Sequence, residues 1–295
     1  MSEYYWDSKI EYLRNTRWLY YNDDYLEFLV QRVWKIEAPV RVVDYGCGYG
    51  YLGAKLLPLL PEGSSYTGID KGRELLREAA ELFGNTSYST IFIQGDIEHM
   101  KPERQYDIAI CHAFLLHMEQ PIDILQRMID SVVDGGRVIC FEPHWIAGAA
   151  NQEFGSFPHS DGVNLGVLQK LYELDANRNG RDGNIGMKLP LLMSQLGLRD
   201  VACRVSDKVN FLDQNMEASA KKRLFDALRD DGIGLEPPDE NNMIDRLIER
   251  GLSEEEAQAQ YAAELQLSQV VNEDSWLTYA PNMKISYGTV GERSL

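Results

Sequence analysis

Between residues 40 and 142 short β-branched runs alternate with helical stretches. VRVVDY, SYTGID, STIFIQGD, YDIAICH and GRVICFE are separated by segments such as GRELLREAAELFG. Apolar runs of this kind predict strands buried on both faces, and helical crossovers between them predict a parallel, doubly wound α/β sheet. Ligands of such sheets lie beyond the carboxyl ends of the strands, so residues that follow strand ends are the candidates for function. Upstream, residues 23–34 repeat apolar positions at three and four, which predicts an amphipathic helix capped by an Asp. After Pro143 the regularity gives way to a Gly-, Asn- and Asp-rich stretch, 144–183, long enough to hold a lid or binding loop. A helix over 184–197 then leads to a strand near 200–206. Residues 208–275 read as helical again, with a break at Pro237-Pro238, a cap at Asp239 and a capping box at Ser253-x-x-Glu256. Finally MKISYGTV alternates like a strand that pairs antiparallel at the edge of the sheet. The expected organisation is a helical cap over 1–37, an α/β unit over 38–207 plus 276–295, and a helical insertion over 208–275.

At 295 residues with 44% hydrophobic and 25% charged positions, the chain can bury a full core, which excludes disordered and collagen-like classes. It carries 46 acidic against 29 basic residues, a formal charge of −17, and 208–275 supplies more than half of that excess. A surface this negative repels phosphate backbones and anionic headgroups, so nucleic acid and membranes are not expected partners. Cys47, Cys111, Cys140 and Cys203 show no CxxC spacing and read as buried thiols in a reducing compartment. No basic n-region with an apolar h-region opens the sequence, so the expected location is cytoplasmic. The first 37 positions hold ten aromatic residues, which either pack on the main unit or roof a pocket.

The sharpest local feature is the strand and turn Val42-Val43-Asp44-Tyr45-Gly46-Cys47-Gly48-Tyr49-Gly50-Tyr51-Leu52-Gly53. Glycines let a ligand approach the backbone there, and free amides at the helix start can hold it. Gly48-x-Gly50-x-x-Gly53 satisfies the dinucleotide fingerprint, which taken alone is weak. Asp44 separates the alternatives: a carboxylate beside the loop repels a pyrophosphate and suits a ligand with an ammonium and a sulfonium. Asp70 ends the second strand, where a carboxylate can accept both hydroxyls of a ribose, and Lys71 follows it. Asp96, with Ile97 beside it, ends the third and can accept from an adenine amino group.

Three acids at successive strand ends, with the glycine turn, resemble the class I S-adenosylmethionine-dependent methyltransferases over residues 40–143. The resemblance implies a Rossmann-like, mostly parallel seven-stranded sheet with an antiparallel last strand, and S-adenosylmethionine as cofactor with S-adenosylhomocysteine as product. It implies that Asp44, Gly46, Cys47, Gly48 and Gly50 cradle the methionine part, that Asp70 binds the ribose hydroxyls, and that Asp96 and Ile97 flank the adenine, with Lys71 and His112 also expected among the cofactor-binding residues. The run from Tyr106 to His117 resembles the family's next segment, with His112 where Asn or Ser is more usual.

Methyl transfer from a sulfonium needs an acceptor held in line in a dry pocket, and a His or carboxylate to take a proton when the acceptor is a hydroxyl. His117 and His144 are the leading candidates, with Glu142, His112 and His159 behind them. No ligand spacing for a metal is present. The expected activity is methyl transfer to O, N or C of a small molecule. The alternatives are a non-catalytic protein that binds the cofactor, and a nicotinamide-dependent oxidoreductase.

Overall fold

The computed structural model describes residues 4–100, 103–155 and 157–292. Among the described residues ten strands form two sheets: β1 Arg41–Tyr45, β2 Ser65–Asp70, β3 Ser89–Gln94, β4 Tyr106–His112, β5 Val132–Glu142, β6 Gln152–Glu153, β7 Arg199–Val205, β8 Asn210–Leu212, β9 Leu277–Tyr279 and β10 Lys284–Thr289. The large sheet has seven strands in the order β3-β2-β1-β4-β5-β10-β7. Its first five are parallel, and β10 runs antiparallel to both neighbours. This is the doubly wound, mostly parallel arrangement that the strand pattern predicts.

The twofold alternation of strand side chains explains why both faces are covered. Val42, Ile108, Ile110, Ile139 and Phe141 point into one core, while Val43, Ala109, Cys111, Val138 and Cys140 point into the other. The second core is closed by the helices Pro121–Ser131 and Ile185–Gln195. The first is closed by the aromatic N-terminal segment, through Leu19, Tyr20, Tyr21 and Trp34, together with Leu224, Phe225, Leu228 and Leu267 from 208–275. Both kinds of covering element therefore share one hydrophobic cluster with the sheet.

Four expectations are corrected. The helix Asp23–Phe28 starts at Asn22, not at an Asp cap. Asn22 is engaged with Asp207, at 2.7 Å from its side chain and 3.2 Å from its amide, and Asp23 and Asp24 occupy the first turn instead. The stretch 144–183 is mostly helical, with helices Trp145–Ala150, His159–Gly162 and Leu165–Asn179. The longest of these is capped by Asn164, but buries fully only Leu171, so it shows no clear apolar stripe in sequence. β10 lies one strand in from the edge, which belongs to β7, because β7 supplies a second partner for its outer side. Cys203 on that outer strand is exposed, while the other three thiols are buried and all four are free.

The Asp239 cap and the Ser253–Glu256 capping box are both present. A second, three-stranded sheet, β6-β9-β8, joins the 144–183 region to both ends of the 208–275 segment. Its strands of two or three residues are too short for alternation to reveal. Among the described residues no helix is long and apolar enough to cross a membrane.

Candidate active site

The strand order turns back between β1 and β4, and a crevice opens there beyond their carboxyl ends. A cavity of about 690 Å3 fills it, a volume that suits a cofactor together with part of a small partner. Gly46, Gly48, Asp70, Lys71, Asp96, Ile97, His112 and His117 all line it. Asp44 and Cys47 lie in a small recess beside it, of about 30 Å3, which shares Leu13, Arg17, Gly46, Gly48 and His112 with the main cavity. Gly50 lines neither; with φ +82° it starts the helix Tyr51–Leu56.

Four amides of the glycine turn are engaged within the protein. Gly46 and Cys47 both donate to the Ile69 carbonyl at 2.9 and 3.1 Å, Gly48 donates to Asp70 Oδ2 at 2.9 Å, and Gly50 donates to the Cys47 carbonyl at 2.9 Å. These four are engaged because β1's turn is tied to the end of β2; the amides at the start of the helix Tyr51–Leu56, on which the expectation of free donors rests, are not among them. An anion would find these donors engaged. Gly48 has φ +55° and nothing within 4 Å of where a Cβ would stand, so a ligand can lie against its backbone.

Asp44 is 1% exposed; its Oδ2 accepts from the Tyr66 hydroxyl at 2.7 Å, and its Oδ1 has no partner. Burial lifts its carboxyl to about 7, the Tyr66 bond opposing and the charge of Asp70 adding to the rise. Gly53 makes this contact possible, since a Cβ there would stand 2.5 Å from the Tyr66 ring. Asp70 accepts from Gly48 and from Gly72, at 2.9 and 2.8 Å, one bond on each oxygen. Each oxygen keeps a second lone pair. Burial raises its carboxyl, and those two amides oppose the rise.

Asp96 stands between Lys71 at 2.9 Å and His99 at 3.0 Å, and its Oδ1 also accepts from the Glu98 amide. Partial burial works against its charge, but the bonds from Lys71 and His99 prevail and hold its carboxyl below the usual value. His112 is buried among Tyr20, Tyr21, Tyr51 and Phe141, with centroids 5.6–6.3 Å away, and its Nε2 has no partner. Burial, and then the charge of Arg17, keep this imidazole neutral well below its ordinary value. His117 stacks at a tilt against Trp6, 5.0 Å away, and is lowered to about 4 by burial, Arg17 and Arg181.

His144 is not among the residues lining this cavity; it starts the helix Trp145–Ala150, its Nδ1 buried and without a partner. Glu142 is fully buried and accepts from the amides of Phe114, Leu115 and Leu116 at 2.9, 2.7 and 3.3 Å. It is thereby committed to the turn that leads to His117, not to a ligand. His159 bonds the Ala149 carbonyl at 2.9 Å, away from the cavity. Among the described residues no group of His, Cys, Asp and Glu is placed to hold a metal.

Sequence reasoning missed Arg17. It lines both the cavity and the Asp44 recess, lies over the Tyr20 ring at 5.7 Å, and forms no ion pair among the described residues. Nothing in the string Asn15-Thr16-Arg17-Trp18 marks it. Tyr4, Tyr5 and Trp6 form the roof, so part of the N-terminal aromatic density lines the pocket and part packs in the core.

Residues 36–161 match the family described as a methyltransferase domain. Over those residues, somewhat under half of its length, the chain carries a methyltransferase domain with the fold of the class I S-adenosylmethionine-dependent enzymes. Over 100 residues the chain is 33% identical to the ubiquinone biosynthesis O-methyltransferase of Vibrio cholerae, a match that covers 33% of this chain and 40% of that protein. The chain thus spans well under half the length of the curated relatives it matches. The methyltransferase fold extends further than this sequence likeness. A Geobacter sulfurreducens S-adenosylmethionine-dependent methyltransferase solved with S-adenosyl-L-homocysteine superposes with TM-score 0.50 at 15% identity, over 98% of this chain and 100% of that one. Haemonchus contortus phosphoethanolamine N-methyltransferase 2, solved with S-adenosyl-L-methionine, gives 0.51 at 11% identity, over 97% and 57%.

Proposed function

We propose that this chain binds S-adenosylmethionine in the switch-point cavity and transfers its methyl group to O, N or C of a small-molecule acceptor. The observation that carries the reading is the pairing of unspent carboxylate acceptors with engaged glycine-turn amides. Asp44 Oδ1 is buried and unpartnered, Asp70 keeps two lone pairs, and the amides of Gly46, Cys47, Gly48 and Gly50 are taken by Ile69, Cys47 and Asp70. Such a site suits an ammonium and a pair of ribose hydroxyls and disfavours a pyrophosphate.

In this reading Asp44 meets the ammonium and Arg17 the carboxylate of the methionine part, two opposite charges that line one small recess. Asp70 accepts from the ribose hydroxyls, and Asp96 and Ile97 border the adenine. When bound, the cofactor supplies an electrophilic sulfonium methyl group. Tyr4, Tyr5 and Trp6 exclude water from above, and His117, neutral at ordinary pH, accepts the proton of a hydroxyl or ammonium acceptor. His144 has no part in this proposal, because it does not line the cavity.

Titration calorimetry with S-adenosylhomocysteine, NADH and NADPH tests the assignment. The expected outcome is binding of the homocysteine compound alone, weakened at least about tenfold in Asp70→Ala by loss of two charge-assisted bonds. Binding of a nicotinamide, or affinity for the homocysteine compound unchanged in Asp70→Ala, would overturn it. Turnover with a panel of phenol, amine and carbon acids then decides the acceptor atom.

A further inference from the structure

A second cavity, of about 440 Å3, opens where the 208–275 segment meets the helices Trp145–Ala150 and Leu165–Asn179, and it shares no lining residue with the first. Asp231, Glu236 and Glu264 line it, and no Lys, Arg or His among the described residues does. The neighbouring Arg250 is paired with Asp175 at 2.6 Å and forms no ion pair with these acids among the described residues. Nor do these acids form a metal-binding group.

Asp231 accepts from two hydroxyls, Tyr20 and Tyr279, each at 2.8 Å. Gln260, 2% exposed, lines the same cavity; its Nε2 donates to Glu264 at 2.8 Å, and its Oε1 is left without a partner. Gln260 Oε1 is thus a buried acceptor that lacks a donor, beside carboxylates with lone pairs to spare. The lining also includes an aromatic pair, Trp145 and Tyr172, at 5.5 Å and 64° to one another.

We propose that this second cavity binds a small organic ammonium ion, its N–H groups on Glu264 and Gln260 and its apolar body against Trp145 and Tyr172. An ammonium supplies donors and positive charge together, and aromatic faces attract a cation once water is removed. Burial raises the Glu264 carboxyl, with Gln260 and Arg250 opposing, and lifts Asp231 to about 6 against its two tyrosine hydroxyls. A bound cation relieves both carboxylates. The site is independent of the cofactor assignment.

Benzylamine and its neutral counterpart benzyl alcohol, titrated calorimetrically into the full chain, test this. Benzylamine is expected to bind at least about tenfold more tightly than the alcohol, and Glu264→Gln, which keeps the shape and removes the charge, is expected to erase that preference. Asp70→Ala, in the first cavity, is expected to leave benzylamine binding unchanged. No benzylamine binding, equal binding of the alcohol, an unaffected Glu264→Gln variant, or loss of binding in Asp70→Ala would each overturn the proposal, whatever S-adenosylhomocysteine does. The comparison of the two probes needs no variant, so a folding defect in Glu264→Gln leaves it decisive.

Discussion

Asp44 sits where water does not reach it, and its charge therefore depends on what binds beside it. With its carboxyl at about 7, a substantial fraction is protonated near neutrality in the empty protein. An ammonium favours the ionised form, so binding releases a proton. The affinity for S-adenosylhomocysteine is accordingly expected to rise as pH climbs through about 7, and Asp44→Asn is expected to flatten that dependence. Calorimetry in two buffers of different ionisation heat measures the proton directly. Asp44 and Asp70 were readable from sequence because each follows an apolar run at a strand end. Arg17 was not, because it reaches the recess only after its own segment has folded over the sheet, a relation carried by no local spacing.

At the scale of elements, the turn after β4 depends on one side chain from the next strand. Ala113 takes a positive φ of 46°, and the three amides that follow point at Glu142. Glu142→Ala leaves several buried donors unpaired and is expected to cost about 2–4 kcal/mol, seen as a lower denaturant midpoint with unchanged slope. Because the same turn carries His117, the variant is also expected to weaken any acceptor that rests there. Sequence suggested Glu142 as a proton acceptor; its position at a strand end was right, but the amides it meets come from a neighbouring connection. The strands and the two caps of 208–275 were legible because their signals are local: β-branched runs, Asp239, and Ser253 with Glu256. The helix Leu165–Asn179 was not, since its cover is shared among several elements and its apolar face is diffuse. The small sheet escaped for a similar reason, its pairing residues coming from three distant parts of the chain.

For the molecule as a whole, buried carboxyls set the response to pH. Asp44 and Glu142 are lifted to about 7 and Asp231 to about 6, in each case chiefly by burial. A carboxyl raised on folding binds its proton more tightly in the native state. Its contribution is complete below the unfolded value of about 4 and is lost as pH rises through the folded one. Thermal midpoints of the ligand-free protein are therefore expected to fall between about pH 5 and pH 8, and to fall less in Asp44→Asn. A rising midpoint across that window would contradict the burial described for these groups. The net charge of −17 acts in the same direction, since self-repulsion grows as the remaining acids ionise.

The placement of β10 also bears on how the chain is made. A ribosome emits β5 and β7 well before β10, yet β10 is the piece that bonds to both. Until residues 284–289 emerge, β5 and β7 each carry an open edge facing a gap one strand wide. The five parallel strands can assemble during synthesis, whereas the outer part of the sheet must wait until β10 itself has been made. During that interval the nascent chain offers two unpaired borders, and shielding them is expected to raise the yield of folded protein.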